Sequence, residues 1–299
     1  MPSLKQVFIA TRPWSFVMTI ISIVFGASYA YWLTSSIDLM LVLVALVGSV
    51  LLHAAVNVWN DYYDYKYRFD RPGVGTAIYR PHPLIEGYMT PGQVMALASG
   101  SAIAALAFGA YIALAGRPLA ILLGLLGLLL AFFYTGPPLR YKYHGFGEVG
   151  VFTAWGPLMV LGSYYVASGR LGLEPIIASI PIGLLVAAVL LANNIRDIET
   201  DKEAGARTLA VILGRRRAIK AYQGLLLTPY AIVALLTATK LASIFTLLVL
   251  LTLPQAIRLA RLFVRQVPPD ADPRTAMIVQ NFGILYIIGT ILGGLLGGI

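Results

Sequence analysis

The stretch from Ile37 to Asp70 reads IDLMLVLVALVGSVLLHAAVNVWNDYYDYKYRFD, and it decides the kind of fold. Its first twenty residues contain almost nothing polar, and about twenty apolar residues are what an α-helix needs to cross a bilayer. The following residues, 57–70, then bring together two asparagines and three aspartates. The stretch therefore predicts a membrane-spanning helix whose end is unusually acidic.

The composition of the whole chain indicates a polytopic membrane protein. Its 299 residues are 59% hydrophobic and only 12% charged, and the mean hydropathy is +0.80, which excludes an ordinary soluble domain. There is no cysteine, so disulfides, thiolate metal sites and cysteine nucleophiles are excluded. The N-terminal segment leads into an apolar run without a small-residue cleavage site, so we expect a retained first helix.

Apolar segments of spanning length predict an all-α bundle of nine transmembrane helices, forming a single membrane-embedded domain over residues 1–299. The predicted spans are 14–34, 38–60, 93–115, 118–134, 148–168, 175–196, 219–239, 241–263 and 276–298. The boundary between the third and fourth spans rests only on Gly116, Arg117 and Pro118, so the helix count depends on that break.

The distribution of basic residues predicts the orientation of the bundle. Of the 22 Lys and Arg, only Arg117, Arg170 and Lys240 fall in the loops opposite the N-terminus. Because cytoplasmic loops are enriched in basic residues, we expect a multi-pass protein of the cell membrane with a cytoplasmic N-terminus. The net charge of +9 reflects this asymmetry, so the expected partner is the lipid bilayer and not nucleic acid.

A second acidic segment follows another predicted helix, where residues 193–201 read NNIRDIETD. At 100° per residue, four polar residues of the first segment and three of the second each fall within an arc of about 100° on one helix face. The first stripe is defined as Asn57, Asn60, Asp61 and Asp64, and the second stripe as Asn193, Asp197 and Asp201. Both stripes lie on the predicted cytoplasmic side, where we expect an active site.

Clustered carboxylates at a helix C-terminus need a compensating cation. The helix dipole is negative there, and neighbouring carboxylates repel one another. Mg²⁺ is commonly held by a few carboxylates together with substrate phosphates, and asparagine adds a neutral oxygen. Of the five asparagines in the chain, four lie in these two acidic segments. Together the two stripes predict a site where Mg²⁺ bridges the protein to a diphosphate.

Two other interpretations stay open at this point. Asn and Asp could simply cap and end the two helices. Carboxylates at the edge of a membrane can also mark an ion pathway, which would indicate a cation or solute transporter. A transporter predicts acidic residues deep in the spans or on both sides, whereas only Asp38 and Glu174 lie on the opposite side here.

Several blocks of the sequence resemble the UbiA superfamily of membrane prenyltransferases. NVWNDYYDYKYRFD (57–70) resembles its first Asp-rich motif, and NNIRDIETDKEAGARTLAVILGRR (193–216) its second. Three further blocks agree with the family: RPWSF (12–16), YTGPPLRYKYHGFGEVGVFTAWGPLMVLGSYY (134–165) and RTAMIVQNFGILY (274–286). The nearest resemblance is to the branch that prenylates 1,4-dihydroxy-2-naphthoate in menaquinone biosynthesis. The departures are the spacing N-x3-D-x2-D of the first motif, Glu148 where that branch often has Asp, and Arg207 where Lys is common.

The resemblance implies a nine-helix bundle in which two Mg²⁺ ions hold an isoprenyl diphosphate in a cavity open to the cytoplasm and to lipid. The implied metal ligands are Asn57, Asp61, Asp64, Asn193, Asp197 and Asp201, and the four carboxylates among them are the candidate catalytic residues. The implied reaction is Mg²⁺-dependent transfer of a polyprenyl group to an aromatic acceptor. Other UbiA-type acceptors, namely 4-hydroxybenzoate, homogentisate or a glycerol phosphate lipid, stay open as alternatives.

Further substrate-binding residues are expected on the same side of the membrane. Basic side chains and amides would bind phosphate oxygens, and aromatic faces would favour an allylic cation. The candidates are Asn57, Asn60, Arg80, Tyr134, Arg140, Lys142, Asn194, Arg196 and Arg207. The polar segment 71–93 is a candidate lid over the diphosphate.

The sequence does not assign three other polar residues to the site. His53 is expected to be a hydrogen-bonded packing residue, and Asp272 is expected only to balance surface charge. The role of Asp70 stays open.

Overall fold

The computed structural model describes residues 2–73 and 80–297, and these residues form helices joined by loops. The helices are α1 (Leu4–Ala10), α2 (Phe16–Thr34), α3 (Leu39–Lys66), α4 (Pro91–Leu114), α5 (Leu119–Thr135), α6 (Gly147–Thr153), α7 (Met159–Ser168), α8 (Glu174–Arg196), α9 (Ile198–Glu203), α10 (Leu209–Leu213), α11 (Arg215–Ala238), α12 (Leu253–Arg265) and α13 (Ala271–Leu296). The π-helical turn Ala154–Leu158 joins α6 to α7, and the 3-10 segment Ile244–Thr252 leads into α12. The predicted all-α membrane bundle is confirmed.

Eight helical segments of the described chain are long and apolar enough to cross a membrane. They are Pro13–Thr34, Leu39–Lys66, Pro91–Leu114, Gly147–Ser168, Glu174–Arg196, Arg215–Ala238, Ile244–Arg265 and Ala271–Leu296. The remaining apolar helix, α5, has 17 residues. The ninth span and the cytoplasmic N-terminus therefore stay predictions.

The break between α4 and α5 lies where the sequence predicts it. Gly116 adopts φ +93°, a left-handed conformation that glycine tolerates without a steric penalty. Pro118 then precedes α5 as its N-cap residue. These two residues end one apolar helix and begin the next, so the segment is not one continuous helix.

The helix α3 is longer than the sequence predicts. Its 28 residues end at Lys66, whereas the prediction ended this span at residue 60. The predicted bound at residue 60 follows only the apolar part of the span, although the sequence places the polar residues of the first stripe on a helix face as far as Asp64. In the structure they are buried against other segments of the chain, so the helix continues through them.

Two groups of buried apolar side chains frame the interior. The larger group joins α2, α8, α11, α12 and α13, and a second group joins α3 to α4 with side chains of α5. At Gly26 on α2, an added Cβ would lie 2.5 Å from the carbonyl oxygen of Val160, so glycine permits the close contact between α2 and α7. Residues of both groups of helices line one large cavity.

Candidate active site

The cavity has a volume of about 610 Å³, and its lining is mostly apolar. The helices α2, α3, α4, α5, α7, α8 and α13 all contribute side chains to the wall. Both stripes contribute to this same cavity, through Asn57, Asn60, Asp64, Asn193, Asp197 and Asp201. Two segments separated by more than a hundred residues in sequence thus contribute polar groups to one site, as their pattern predicts.

Asp61 of the first stripe is completely buried and is held by two arginines. The guanidinium of Arg80 donates to Asp61 Oδ1 at 2.5 Å, and Arg12 makes a short contact with the same oxygen. Both arginines also line the cavity. Arg12 approaches from a turn in the left-handed conformation, with φ 55°, between α1 and α2. The two cations compensate the charge of a carboxylate that has no access to water.

Asp64 is neutralised by a different segment, the 3-10 turn Tyr141–His144. Lys142 Nζ lies 2.7 Å from Asp64 Oδ2 and 3.0 Å from Asn60 Oδ1, so it bridges two residues of the first stripe. The hydroxyl of Tyr143 donates to Asp64 Oδ1 at 2.5 Å. Burial and the neighbouring Asp64 raise the pKa of Tyr143 far above its ordinary value, so its hydroxyl stays protonated as a donor.

The second stripe runs across a break in the helix. The helix α8 ends at Arg196, and Asp197 separates it from α9. The amide of Asp197 still donates to the carbonyl of Asn193 at 3.0 Å, and the amide of Asp201 donates to Asp197 at 2.9 Å. Because the i to i−4 spacing of the bonds persists, the three side chains keep the common face that the sequence predicts.

Arg196 is the organising cation of the second stripe. It donates to both carboxylate oxygens of Asp197, at 2.8 and 2.7 Å, and to Asn193 Oδ1 at 2.7 Å. It also makes a short contact with Asp272 at the start of α13. Asp272 lines the cavity, so the expectation that it only balances surface charge is wrong.

Asp201 has no comparable partner among the described residues. Thr208 donates to it weakly, at 3.3 Å. Burial raises the pKa of Asp201 to about 7, with Asp197 and Asp64 adding to the rise and Lys142 opposing it. A cation bound beside Asp201 would stabilise the charged form of this carboxylate.

The donor set fits a hard divalent cation. The second carboxylate oxygen of Asp61 is buried, and no hydrogen-bond partner for it is found among the described residues. The stripes otherwise offer carboxylate and amide oxygens, which are the ligand types that Mg²⁺ binds. The side-chain oxygens of Asp64, Asn193 and Asp197 accept from protein donors, which a bound cation would displace. The oxygen chemistry of the donor set is thus consistent with the predicted metal ligands.

Asp70 is placed beside the first stripe by the loop after α3. Its amide donates to the carbonyl of Asp64 at 3.2 Å, its side chain is buried, and it lines the cavity. Although burial alone raises the pKa of Asp70, the neighbouring His82 and the charges of Lys142 and Arg12 hold it well below its ordinary value. Asp70 therefore places an anionic carboxylate at the cavity beside the first stripe, and its role in the reaction stays open.

One ligand atom from each of Asp61, Asp70 and His82 lies within 4.8 Å of the other two, a geometry that could hold a metal. However, Nδ1 of His82 accepts from the amides of Leu84 and Ile85 at 3.3 Å each. A neutral imidazole then carries its proton on Nε2, which lies 3.5 Å from Asp70 Oδ2. His82 Nε2 thus faces Asp70 at the distance of a charge contact, and no hydrogen bond of this nitrogen is found among the described residues.

Of four further predicted substrate-binding residues, two line the cavity and two do not. Asn194 lines the cavity and donates to Glu148 Oε1 at 2.9 Å. Tyr134 also lines it, with Lys142 Nζ 5.8 Å from its ring centroid. Arg140 and Arg207 do not contribute to the cavity lining. Arg140 lies over the ring of Tyr67 and Arg207 is exposed, so their roles stay predictions.

The sequence did not identify Arg12 and Tyr143 as site residues. Arg12 lies 49 positions from its partner Asp61, and the signal that could have found it was the block RPWSF, which begins at this residue. Tyr143 follows the predicted Lys142 directly, but tyrosines are also common at membrane interfaces. The pairing of each residue with its aspartate is evident only from the contact itself.

Sequence comparison with known proteins finds similarity to membrane prenyltransferases over most of the chain. The UbiA prenyltransferase family model matches residues 12–282. The chain is 32% identical to the 1,4-dihydroxy-2-naphthoate octaprenyltransferase of Bacillus subtilis, over 94% of this chain and 91% of that protein. It is 33% identical to the zebrafish (Danio rerio) UbiA prenyltransferase domain-containing protein 1, over 95% of this chain and 83% of that protein.

Solved structures share the fold. A UbiA homologue from Aeropyrum pernix, solved without ligands, matches with a TM-score of 0.71 at 21% identity, over 90% of this chain and 97% of that one. A UbiA homologue from Archaeoglobus fulgidus bound to GPP and Mg²⁺ matches with a TM-score of 0.67 at 17% identity, over 95% and 99% of the two chains.

The helical bundle with its carboxylate-lined internal cavity defines a multi-pass membrane enzyme. The chain belongs to the UbiA prenyltransferase family, and it is a prenyltransferase. The resemblance seen in the two Asp-rich motifs is thereby confirmed.

Proposed function

We propose that this enzyme transfers a polyprenyl group from an isoprenyl diphosphate to 1,4-dihydroxy-2-naphthoate, as a step of menaquinone biosynthesis, and releases pyrophosphate. The observation that carries the proposal is the meeting of the two stripes at one apolar cavity. Identity of 32% to a named naphthoate octaprenyltransferase supports this choice of acceptor. The basic residues on the N-terminal side support an active site that faces the cytoplasm of a cell membrane.

The polar groups of the cavity would bind the diphosphate. Mg²⁺, when bound by Asn57, Asp61, Asp64, Asn193, Asp197 and Asp201, would supply Lewis-acid stabilisation of the pyrophosphate leaving group. Lys142 lies between Asn60 and Asp64, with its ammonium at the cavity, and can donate to phosphate oxygens. Arg12 and Arg80 add positive charge beside Asp61. Such fixed charges stabilise the negative charge that develops on the leaving oxygen.

The apolar wall would hold the prenyl chain and keep water from the reaction. The allylic C–O bond breaks, and its electron pair leaves with pyrophosphate. The rings of Tyr134 and Tyr141 line the cavity, and their faces favour a passing allylic cation. The electron-rich ring of the acceptor then forms the new C–C bond and loses the carboxyl group as CO₂ or a ring proton.

The segment 71–93 keeps its proposed role as a lid. Of this segment, residues 74–79 lie outside the described residues. Arg80 and His82 are buried and reach Asp61 and Asp70 respectively, which supports closure of the loop over the polar end of the cavity.

Turnover by the purified protein tests this function. We expect pyrophosphate release and a prenylated naphthoate product from 1,4-dihydroxy-2-naphthoate, a polyprenyl diphosphate and Mg²⁺, and loss of both on chelation with EDTA. A panel with 4-hydroxybenzoate, homogentisate and a glycerol phosphate lipid should give much slower reactions. A faster reaction with another acceptor would replace the naphthoate assignment while leaving the prenyl transfer intact.

A further inference from the structure

His53 is a buried histidine that the proposed reaction does not use. It lies on α3, one helical turn before Asn57, and it contributes to the wall of the cavity. Its ring packs edge-on against Trp155 and Phe16, with centroids 4.9 and 5.4 Å away. Both ring nitrogens have partners: Nδ1 lies 2.8 Å from Thr19 Oγ1, and Nε2 lies 3.2 Å from Ser15 Oγ.

The partners of Ser15 determine the direction of its hydrogen bond with His53. The hydroxyl of Ser15 donates to the carbonyl of Arg12 at 2.8 Å, and the amide nitrogen of Asn57 donates to Ser15 Oγ at 2.9 Å. A hydroxyl has only one proton to donate. Since that proton is on the bond to Arg12, Ser15 must accept from Nε2–H of His53.

The other side of the ring agrees with this tautomer. A neutral imidazole with its proton on Nε2 has a bare Nδ1, which accepts from the hydroxyl of Thr19. The oxygen of Thr19 in turn accepts from the indole N–H of Trp155 at 3.1 Å. The positioning chain, which we define as Trp155, Thr19, His53 and Ser15, therefore has one consistent direction in which every proton is used.

The positioning chain ends at the first stripe. The two N–H groups of the Asn57 amide donate to Ser15 Oγ and to the carbonyl of Thr11, each at 2.9 Å. With its nitrogen held on that side, the amide turns its oxygen the other way, and no partner for this oxygen is found among the described residues. A reversed amide would place its oxygen against the Thr11 carbonyl and an occupied Ser15 hydroxyl, which is unfavourable.

We propose that Ser15 and His53 are positioning residues that fix the orientation of the Asn57 amide and so present its oxygen to a divalent cation. The inference rests on the proposed function, in which Asn57 is a metal ligand. Ser15 also holds the carbonyl of Arg12, the residue that contacts Asp61. Loss of a partner that orients a metal ligand commonly lowers metal affinity by about 10- to 100-fold.

Binding of Mn²⁺ alone, followed by the EPR signal of the free ion, tests the inference without turnover. His53→Leu and Ser15→Ala should each weaken Mn²⁺ binding by about tenfold. His53→Gln should bind within about threefold of wild type, because its amide can donate to Ser15 and accept from Thr19. Tyr230→Phe, which removes a buried hydrogen bond to Thr252 away from the cavity, is the matched control and should bind as wild type.

A double-mutant cycle separates orientation from general loosening of the fold. In Asn57→Asp, the two terminal side-chain atoms are both oxygens, so an oxygen faces the cation in either orientation of the group. Adding His53→Leu to Asn57→Asp should therefore change the affinity for Mn²⁺ by less than about twofold. An equal loss in both backgrounds would overturn the inference.

The same titration separates the role of Asn57 as a metal ligand from the role of Ser15 and His53 in orienting it. If Asn57→Ala binds Mn²⁺ as tightly as wild type, the assignment of Asn57 as a ligand is wrong, and the proposed function loses that residue. If Asn57→Ala binds weakly but Ser15→Ala and His53→Leu both bind normally, only the inference about the positioning chain is wrong.

Discussion

The two stripes differ in how their charge is balanced. The first stripe is buried and receives cations from three separate segments, through Arg12, Arg80 and Lys142. The second stripe lies at a break between α8 and α9, and one residue, Arg196, pairs with Asp197. Asp201 forms no ion pair among the described residues, and its pKa is raised to about 7. The first stripe is thus organised by the protein itself, whereas the second depends more on a bound cation.

Replacing Asp61 should have the largest effect, because it affects both the site and the fold. We expect Asp61→Asn to lower kcat by at least about 100-fold, the size of effect seen when one stabilising group is lost from a transition state. It should also destabilise the protein by roughly 3 kcal/mol, since two guanidiniums lose a buried partner. Steady-state kinetics and thermal unfolding in the same detergent measure the two effects.

The control for Asp61 is Asp270→Asn. Asp270 is half exposed and pairs with Arg274 at 2.8 Å, and exposed pairs contribute little to stability. Normal stability of Asp61→Asn would contradict the view that the first stripe is organised by ion pairs.

Asp201→Asn should separate activity from stability. The loss of a metal ligand should lower kcat by about 100-fold. Stability without metal should stay the same or increase at pH 8, because the charged form of this buried carboxylate is disfavoured and the amide is neutral. Unfolding of metal-free wild type and variant, each with and without added Mg²⁺, checks this. Marked destabilisation of the metal-free variant would remove the contrast between the stripes.

Asp272→Asn should have a smaller effect through Arg196. This variant leaves Arg196 bound to Asp197 and Asn193 but removes one of its acceptor charges. We expect the Mg²⁺ concentration for half-maximal rate to rise by about tenfold, as for other residues that orient a metal ligand, with little change in kcat. Asp270→Asn, two residues away, again provides the control. A change in kcat alone would indicate a direct role for Asp272 in the reaction.

Replacing a basic residue should raise KM for the polyprenyl diphosphate only where that residue lines the cavity. Lys142→Gln removes a charge at the cavity and should raise KM for the polyprenyl diphosphate by about tenfold, as a loss of phosphate binding of about 1.4 kcal/mol would do. Arg207→Gln, at an exposed position outside the cavity lining, should change KM by less than about twofold. Similar effects in both variants would mean that Arg207 reaches the diphosphate when the substrate is bound.

The stripes could be predicted because their information is local. Four amides and carboxylates at helical spacing indicate a common face, and this holds for Asn193, Asp197 and Asp201 even across the break in the helix. The charge partners could not be predicted, because they come from distant segments. Arg12 and Asp272 each meet the site only through tertiary packing.

The prediction for His53 shows the same limit. Its sequence position correctly indicated a buried, hydrogen-bonded residue, but the function of those bonds depends on Ser15 and Thr19 of α2 and the preceding turn. The predicted span ended at residue 60 because polar residues normally end the apolar part of a membrane helix. In α3 other segments bury and pair these residues, and the helix runs on to Lys66.

Anomalous diffraction from crystals grown with Mn²⁺ and a non-reactive prenyl thiolodiphosphate is the most direct test of the central claim. We expect Mn²⁺ peaks at the cavity, beside Asp61 and Asp64 and beside Asp197 and Asp201, with the diphosphate between the two stripes. Peaks away from both stripes, or a diphosphate bound without any contact to a metal, would contradict it.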